Sequence, residues 1–242
     1  MTINSSDSNF INISENIKLI KNEIAEAAIK SGRQPEDVKL MAVTKTVCVE
    51  YINHAIDNCG IDLIGENKVQ EYLSKKDTLH LNGVEKHLIG HLQTNKVKKI
   101  LTEVDMIQSV DSLNLAKVIS NEATKKGICA NVLLEINIGG EDSKTGFDKV
   151  AFLESIAELS ELQSISVKGL MTIPPICDSV LELEKHFSQM NEYYNELRSG
   201  NYPNFDLSIL SMGMSGDYME AIIHGSNLVR VGSAIFGARI YK

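Results

Sequence analysis

Apolar residues recur in the first part of the chain at alternating spacings of four and three, as on one face of an amphipathic helix. The positions are Ile13, Ile17, Ile20, Ile24 and Ala27. Gly32 and Pro35 follow in the order that commonly ends a helix. The residues before the stripe are polar, so we expect residues 1–9 to be a tail without ordered structure. Residues 10–242 then form a single domain.

Eight short apolar runs follow, most of them succeeded by a segment that can be helical. The runs are Lys39–Val43, Ile61–Ile64, His87–Leu92, Asp105–Val110, Asn131–Ile138, Ser166–Ile173, Leu207–Met212 and Leu228–Phe236. A second helical stripe runs from Val180 to Leu197, with Asp178 as its predicted N-cap and Gly200 as its stop. Strands that alternate with helices indicate a parallel sheet. Eight such units favour a closed (β/α)8 TIM barrel over a doubly wound open sheet.

The composition is that of an ordinary soluble globular protein, with 43% hydrophobic and 23% charged residues. The net charge of −8 argues against nucleic acid or an anionic membrane as a partner. We see no signal peptide and no apolar run long enough to span a membrane. The four cysteines, at positions 48, 59, 129 and 177, form no CxxC pair. This spacing predicts free thiols in a reducing cytoplasm and no metal site.

Candidate chemistry lies where the predicted strands end, because barrel enzymes carry their reacting groups there. Lys45 follows the first strand, where a desolvated amine can form a Schiff base, although most lysines at a rim are only solvated. Arg230 alternates with apolar residues in the last strand. It either points into the barrel and needs a partner, or lies between helices. Small residues at 211–216 and at Gly232-Ser233 follow the last two strands, where this fold commonly binds phosphate.

Three other motifs lack something that their chemistry requires. Segment 139–145 is superficially similar to a phosphate-binding P-loop, but it lacks the glycine before its lysine, and Asp142 would repel phosphate. His87 and His91 have the spacing of a helical zinc pair, yet the residues between them indicate a strand, which would hold them too far apart. We therefore expect structural or polar roles for both histidines. Cys59 has no evident catalytic partner.

Six blocks of sequence carry a resemblance that spans the chain from about Ile13 to Tyr241. The blocks are residues 41–46, 65–71, 87–96, 168–175, 210–215 and 229–239. With these six blocks in this order, the chain resembles the pyridoxal-phosphate homeostasis protein family. The members of this family are single-domain relatives of the alanine racemase N-terminal barrel. Thr44 and Val47 stand where many members have serine and proline, and neither change removes a reacting group.

The resemblance implies a set of residues that bind the cofactor. Pyridoxal 5′-phosphate would be held as an aldimine on Lys45, with Arg230 facing the pyridine nitrogen. The phosphate would be held by Ser211, Gly232 and Ser233, and Asn67 would be a lesser contact near the ring. The resemblance implies no catalytic residue.

The same resemblance implies a non-catalytic carrier or regulator of pyridoxal phosphate, involved in vitamin B6 homeostasis and indirectly in amino-acid balance. An arginine facing the ring nitrogen disfavours its protonation and weakens the electron sink that catalysis needs. Related racemases add a tyrosine base from a second domain of the partner subunit. We expect none here, because the sequence ends at Lys242. A cofactor open to water suits binding and transfer better than catalysis.

Two alternatives remain open. The first is a short, one-domain amino-acid racemase, and the second is a sugar-phosphate barrel enzyme that uses the same phosphate site without the cofactor. For the carrier, the resemblance implies a monomer that passes pyridoxal phosphate transiently to apo-enzymes. Lys144 is a second amine for which the sequence offers no argument.

Overall fold

Eight parallel strands close into a barrel, with neighbours in chain order from β1 to β8. A computed structural model of the chain describes residues 5–141 and 144–237. The strands are β1 (Lys39–Val43), β2 (Leu63–Glu66), β3 (Glu85–Leu88), β4 (Met106–Val110), β5 (Ala130–Glu135), β6 (Ile165–Met171), β7 (Phe205–Ser211) and β8 (Leu228–Val231). The predicted (β/α)8 barrel is confirmed, and the open sheet is excluded.

Helices surround the barrel within the described residues. They are α1 (Ser5–Lys30), α2 (Val49–Cys59), α3 (Val69–Lys75), α4 (Val97–Ile100), α5 (Leu113–Lys126), α6 (Lys149–Ser160), α7 (Val180–Ser199), α8 (Tyr218–Ile223) and α9 (Ser233–Phe236). Each helix from α2 to α9 follows one strand, and α1 is the predicted extra helix, packed against α2, α8 and α9. None of the helices in this part of the chain is both long and apolar enough to cross a membrane.

The first helix starts earlier than the polar pattern predicts. It begins at Ser5, so the expected tail is helical over residues 5–9, while residues 1–4 lie outside the described part. Tertiary contacts account for the difference. The Phe10 ring packs edge-on against Tyr51, with 5.4 Å between centroids, and the Asn9 amide donates to the Tyr51 hydroxyl at 2.8 Å. These contacts outweigh the weak helix propensity of the polar residues.

The N-cap of α7 is one residue later than expected. The Ser179 hydroxyl accepts from the Glu182 N–H at 3.2 Å. Asp178 lies outside the helix, and its own N–H donates to the Glu182 carboxylate at 3.2 Å. Serine and aspartate are equally good N-caps, so N-cap propensity alone could not distinguish Asp178 from Ser179. Gly200 follows the last helical residue, as predicted.

The barrel interior contains both apolar and polar side chains. Met41, Val43 and Leu63 pack inside it with neighbouring apolar side chains. Larger apolar clusters fill the layer between the strands and the helices. Strands β6 and β7 approach closely at Gly169, where an added Cβ would lie 1.7 Å from the Ile209 carbonyl oxygen. Glycine is therefore needed there to close the barrel.

Candidate functional site

Arg230 lies inside the barrel, only 3% exposed, which answers the question that strand alternation left open. Its Nη1 donates to the Ser211 hydroxyl at 2.7 Å and its Nη2 donates to the Thr172 carbonyl at 2.8 Å. Burial lowers the pKa of Arg230 to about 10, although the carboxylates of Asp217 and Glu135 act in the opposite direction. The guanidinium therefore remains charged at neutral pH, at a fixed position in the interior.

A chain of hydrogen bonds continues from Arg230 across the barrel. The Ser211 hydroxyl donates to Gln108 Oε1 at 2.8 Å, and Gln108 Nε2 donates to His87 Nδ1 at 2.8 Å. Burial lowers the pKa of His87 to about 4. The imidazole is therefore neutral at pH 7, and its 3.9 Å approach to Glu85 is not an ion pair there. The expected structural role of His87 is confirmed, and the exposed His91 pairs with Asp111 at 2.8 Å.

Ser211 is fully buried within this chain of hydrogen bonds. Its hydroxyl both accepts from Arg230 and donates to Gln108, so it links the arginine to the rest of the interior. Its contact with a phosphate remains a prediction. The hydroxyl that does lie against the start of α9 belongs to Ser215, which accepts from the Gly232 N–H at 3.2 Å and the Ala234 N–H at 3.3 Å.

Ser215 lies in the segment 211–216 that the sequence indicated for phosphate, but it was not among the predicted site residues. Backbone N–H groups at the start of a helix bind anions readily, and here they converge on one hydroxyl. Gly232 also brings β8 against β1, because an added Cβ would lie 3.2 Å from Val43 Cβ. Gly232 and Ser233 therefore lie beside the strand that leads to Lys45.

Lys45 lies in a tight turn directly after β1 and is half-buried. Thr46 is the one non-glycine residue with positive φ in the described chain, at 63°. Its N–H donates to the Glu71 carboxylate at 2.5 Å. On the other side of the lysine, the Thr44 carbonyl accepts from Lys75 Nζ at 3.0 Å. Two residues of α3 therefore hold the backbone on both sides of Lys45, and this costly conformation persists because its surroundings fix it.

A buried glutamate completes the contact between α3 and this turn. Glu66, 2% exposed, accepts from the Thr44 hydroxyl at 3.1 Å, and Lys75 Nζ lies 3.5 Å from it. Burial raises the pKa of Glu66, and the charge of Lys75 opposes that effect. Burial also acts on Glu71, but Lys75 and the Thr46 N–H hold the pKa of Glu71 below its usual range. We call Glu66, Glu71 and Lys75 the α3 clamp.

The α3 clamp was not predicted as part of the site. Its available signal was the spacing of four between Glu71 and Lys75, which form an ion pair at 2.6 Å on one helical face. Such pairs are common on solvated helices. Only the closed barrel shows that this one faces the turn that carries Lys45.

The side-chain oxygen of Asn67 is a buried acceptor that receives no hydrogen bond from the described residues. Among the described residues, no partner lies within reach of its Oδ1. Gly90 packs so closely on its backbone that an added Cβ would lie 2.3 Å from the Asn67 carbonyl oxygen. An unsatisfied buried acceptor costs about 1–3 kcal/mol. It marks a position at which a bound ligand can supply a donor.

The six predicted site residues lie at the ends of four neighbouring strands. Strand β1 pairs with β8 on one side and with β2 on the other, and β8 pairs with β7. The residues are Lys45, Asn67, Ser211, Arg230, Gly232 and Ser233. This side of the mouth therefore brings together an amine, a buried cation, a buried acceptor and backbone N–H groups.

Sequence comparison places the chain among known barrels. Residues 12–240 match the family model described as alanine racemase, N-terminal domain. A pyridoxal phosphate homeostasis protein of Aquifex aeolicus is 39% identical over 231 residues, which are 96% of this chain and 100% of the relative.

Two solved structures are similar in both fold and sequence. A Bifidobacterium adolescentis protein, described as unknown, matches with a TM-score of 0.89 and 37% identity, covering 95% of this chain and 96% of the other. PipY of Synechococcus elongatus, solved with pyridoxal phosphate bound, matches with a TM-score of 0.78 and 34% identity, covering 88% and 100%. The expected resemblance to the pyridoxal phosphate homeostasis protein family is confirmed.

Proposed function

We propose, because the chain belongs to the pyridoxal phosphate homeostasis protein family, that it holds pyridoxal 5′-phosphate on Lys45 and takes part in the cell's supply of this cofactor. The observation that carries the proposal is that Lys45 follows directly on β1, which pairs with β8 so that Met41 of β1 lies opposite Arg230 of β8. An amine at the rim and a fixed cation inside the barrel then face one ligand.

The residues at the mouth fit such a ligand. Asn67 Oδ1 is a buried acceptor without a partner among the described residues. The N–H groups of Gly232 and Ala234 converge on the Ser215 hydroxyl, where they also suit a phosphate. We keep Ser211, Gly232 and Ser233 as proposed phosphate contacts and add Ser215.

Lys45 is the proposed point of attachment. When bound, pyridoxal phosphate supplies an aldehyde, whose carbon forms an imine with the lysine amine as one water molecule leaves. The amine must first lose its proton before it can attack the aldehyde carbon. The α3 clamp holds the peptide groups on both sides of this lysine, so its main chain need not be ordered when the ligand arrives.

The positive charge of Arg230 is the reason why we propose a carrier and not an enzyme. The guanidinium keeps its charge because its lowered pKa, about 10, is still well above neutral. Facing a pyridine nitrogen, a cation disfavours a second positive charge on that nitrogen, so the ring withdraws electrons weakly. Racemisation needs a strong sink and proton transfer at the substrate. We therefore propose a carrier without substantial catalytic activity.

A racemase assay separates the carrier from the enzyme alternative. The purified holoprotein and Lys45→Ala are incubated with L-alanine and other L-amino acids, and the products are resolved by chiral chromatography. We expect no turnover beyond that of free cofactor. Substantial D-amino acid formation that disappears in Lys45→Ala would replace the carrier with the racemase.

The carrier role also predicts partners and assembly. We propose a cytoplasmic monomer that passes its cofactor to apo-enzymes during brief encounters. Light scattering should then give one chain of 26.7 kDa. Cofactor transfer is tested by mixing the holoprotein with a pyridoxal-phosphate-dependent apo-enzyme in the presence of a scavenger of free cofactor. Reactivation of the apo-enzyme supports direct transfer, and its failure contradicts it.

A further inference from the structure

A cysteine, a glutamate and a histidine meet where the loop after β6 enters α7. Cys177 lies in the loop, while Glu182 and His186 lie one turn apart on the helix. Their ligand atoms, the thiol sulfur, a carboxylate oxygen and a ring nitrogen, all lie within 4.8 Å of one another. The helical spacing of four places Glu182 and His186 on one face, and the loop brings the thiol to that face.

The chemistry of these three groups selects a class of cation. Mg²⁺ and Ca²⁺ prefer sets of oxygen ligands. A thiolate, an imidazole and a carboxylate together suit Zn²⁺, which takes sulfur, nitrogen and oxygen ligands in tetrahedral geometry. Three protein ligands leave the fourth position to water, as in open zinc sites.

The loop that carries Cys177 is fixed before any metal binds. The Pro174 carbonyl accepts from Lys144 Nζ at 2.9 Å. Pro175 packs on Gly139, where an added Cβ would lie 2.8 Å from Pro175 Cγ. A cation would therefore meet a thiol whose main chain is already held against the neighbouring loop, which lowers the ordering cost of binding.

The surroundings of the thiol favour its pairing with a cation. The Cys177 thiol and the Glu182 carboxylate lie within 4.8 Å of each other. The Glu182 carboxylate is turned towards the loop, because it accepts from the Asp178 N–H at 3.2 Å. A divalent ion between the two groups would be balanced by the carboxylate charge, and it would displace the thiol proton to solvent.

We infer that Cys177, Glu182 and His186 form a zinc site on the rim of the barrel mouth. The site would tie the loop at Pro174 and Pro175 to the first turns of α7. It does not depend on the proposed cofactor role. The sequence predicted no metal, because neither the cysteine spacing nor the pair His87 and His91 indicated one, and the spacing Cys-x4-Glu-x3-His gains its meaning only from the helix.

The first test is thiol protection in the full-length protein. The protein is freed of metal with a chelator, and the alkylation rate of each cysteine is followed by mass spectrometry with and without Zn²⁺. We expect Zn²⁺ to slow alkylation of Cys177 at least about tenfold, because a bound thiolate is not free to react. Cys48 and Cys129, both exposed free thiols, serve as internal controls and should be unchanged.

The second test is calorimetric titration with Zn²⁺ alone. Cys177→Ser, Glu182→Gln and His186→Gln should each weaken binding by at least about tenfold, the lower bound known for the loss of mere supporting groups. Cys129→Ser and His80→Gln are the matched controls and should bind as the wild type does. Circular dichroism verifies the fold of each variant. Equal alkylation of Cys177 with and without Zn²⁺, or zinc binding that His186→Gln leaves unchanged, would overturn the site.

Discussion

At the scale of single residues, the interior hydrogen-bond chain makes Arg230 a fixed cation. His87, Gln108 and Ser211 contribute one side chain each, and the donor–acceptor distances along the chain are 2.7 or 2.8 Å. Buried polar chains of this kind are stable when every member is satisfied and costly when one is removed. Substitutions at His87 and at Ser211 therefore test this chain of hydrogen bonds.

His87 should make the folded state sensitive to mild acid. Its pKa is lowered to about 4 by burial, whereas the unfolded chain has a histidine of ordinary pKa. Between those values the unfolded state binds a proton that the folded state does not, so stability falls as the pH drops. We expect a loss of about 2 kcal/mol from pH 7 to pH 5. Urea unfolding of cofactor-free protein measures it. His87→Gln should lack this part of the loss, and an identical pH dependence in both proteins would contradict the account.

Ser211 and Ser215 should differ in what their hydroxyls support. Ser211→Ala leaves Arg230 Nη1 and Gln108 Oε1 each without a buried partner, so the free energy of unfolding should fall by about 1–3 kcal/mol. Ser215→Ala removes only an acceptor of two N–H groups near the surface, so stability should change little while the affinity for pyridoxal phosphate falls. Urea unfolding distinguishes the two variants, and equilibrium dialysis measures the affinity of each for pyridoxal phosphate. Equal stability of the two variants would contradict the structural role of Ser211.

At the scale of secondary-structure elements, α3 controls the turn after β1. The α3 clamp contacts Thr44 and Thr46, the neighbours of Lys45, so this short helix acts on the proposed attachment point without touching a ligand itself. Lys75 is the central member, because it contacts both glutamates and the Thr44 carbonyl.

Lys75→Met should loosen this turn. It leaves Glu66 buried beside an apolar chain, and we expect roughly 2–4 kcal/mol of lost stability, somewhat below the usual cost of breaking a buried pair because Glu66 can take up a proton. Bound pyridoxal phosphate should also dissociate faster, as measured by its transfer to a scavenger. Lys125→Met, which removes the exposed partner of Glu122, is the matched control and should change neither quantity. Unchanged dissociation from Lys75→Met would show that the clamp does not position Lys45.

The elements themselves were largely predictable, because alternating apolar runs and helical stripes have distinct periods. All eight strands appear where apolar runs were found, and β1 has the predicted bounds. Helix ends were less predictable. The start of α1 depends on contacts with Tyr51, and the cap of α7 depends on which of two adjacent acceptors reaches the Glu182 N–H.

The site was predictable only in part, for a related reason. Lys45, Arg230 and the small residues after β7 and β8 are recognisable because their positions at strand ends follow from the fold. The interior partners of Arg230 and the α3 clamp come from strands and helices far apart in the chain. Their spacing in the sequence holds no signal until the barrel brings them together.

At the scale of the whole molecule, the closed barrel places all six proposed cofactor contacts on one side of its mouth. The zinc site that we infer follows β6, next to this arc of strands, on a loop that Lys144 binds. A carrier needs to hold its ligand and to release it. Both proposed sites lie at the C-terminal mouth of the barrel.

The central claim is that Lys45 holds pyridoxal phosphate as an imine. It is tested by the visible absorption spectrum of the purified protein, before and after borohydride, with peptide mapping of the reduced product. We predict an imine band that borohydride removes, with the label on Lys45, and neither band nor label in Lys45→Ala. A protein that stays colourless after incubation with pyridoxal phosphate, or a label on another lysine alone, would contradict the account.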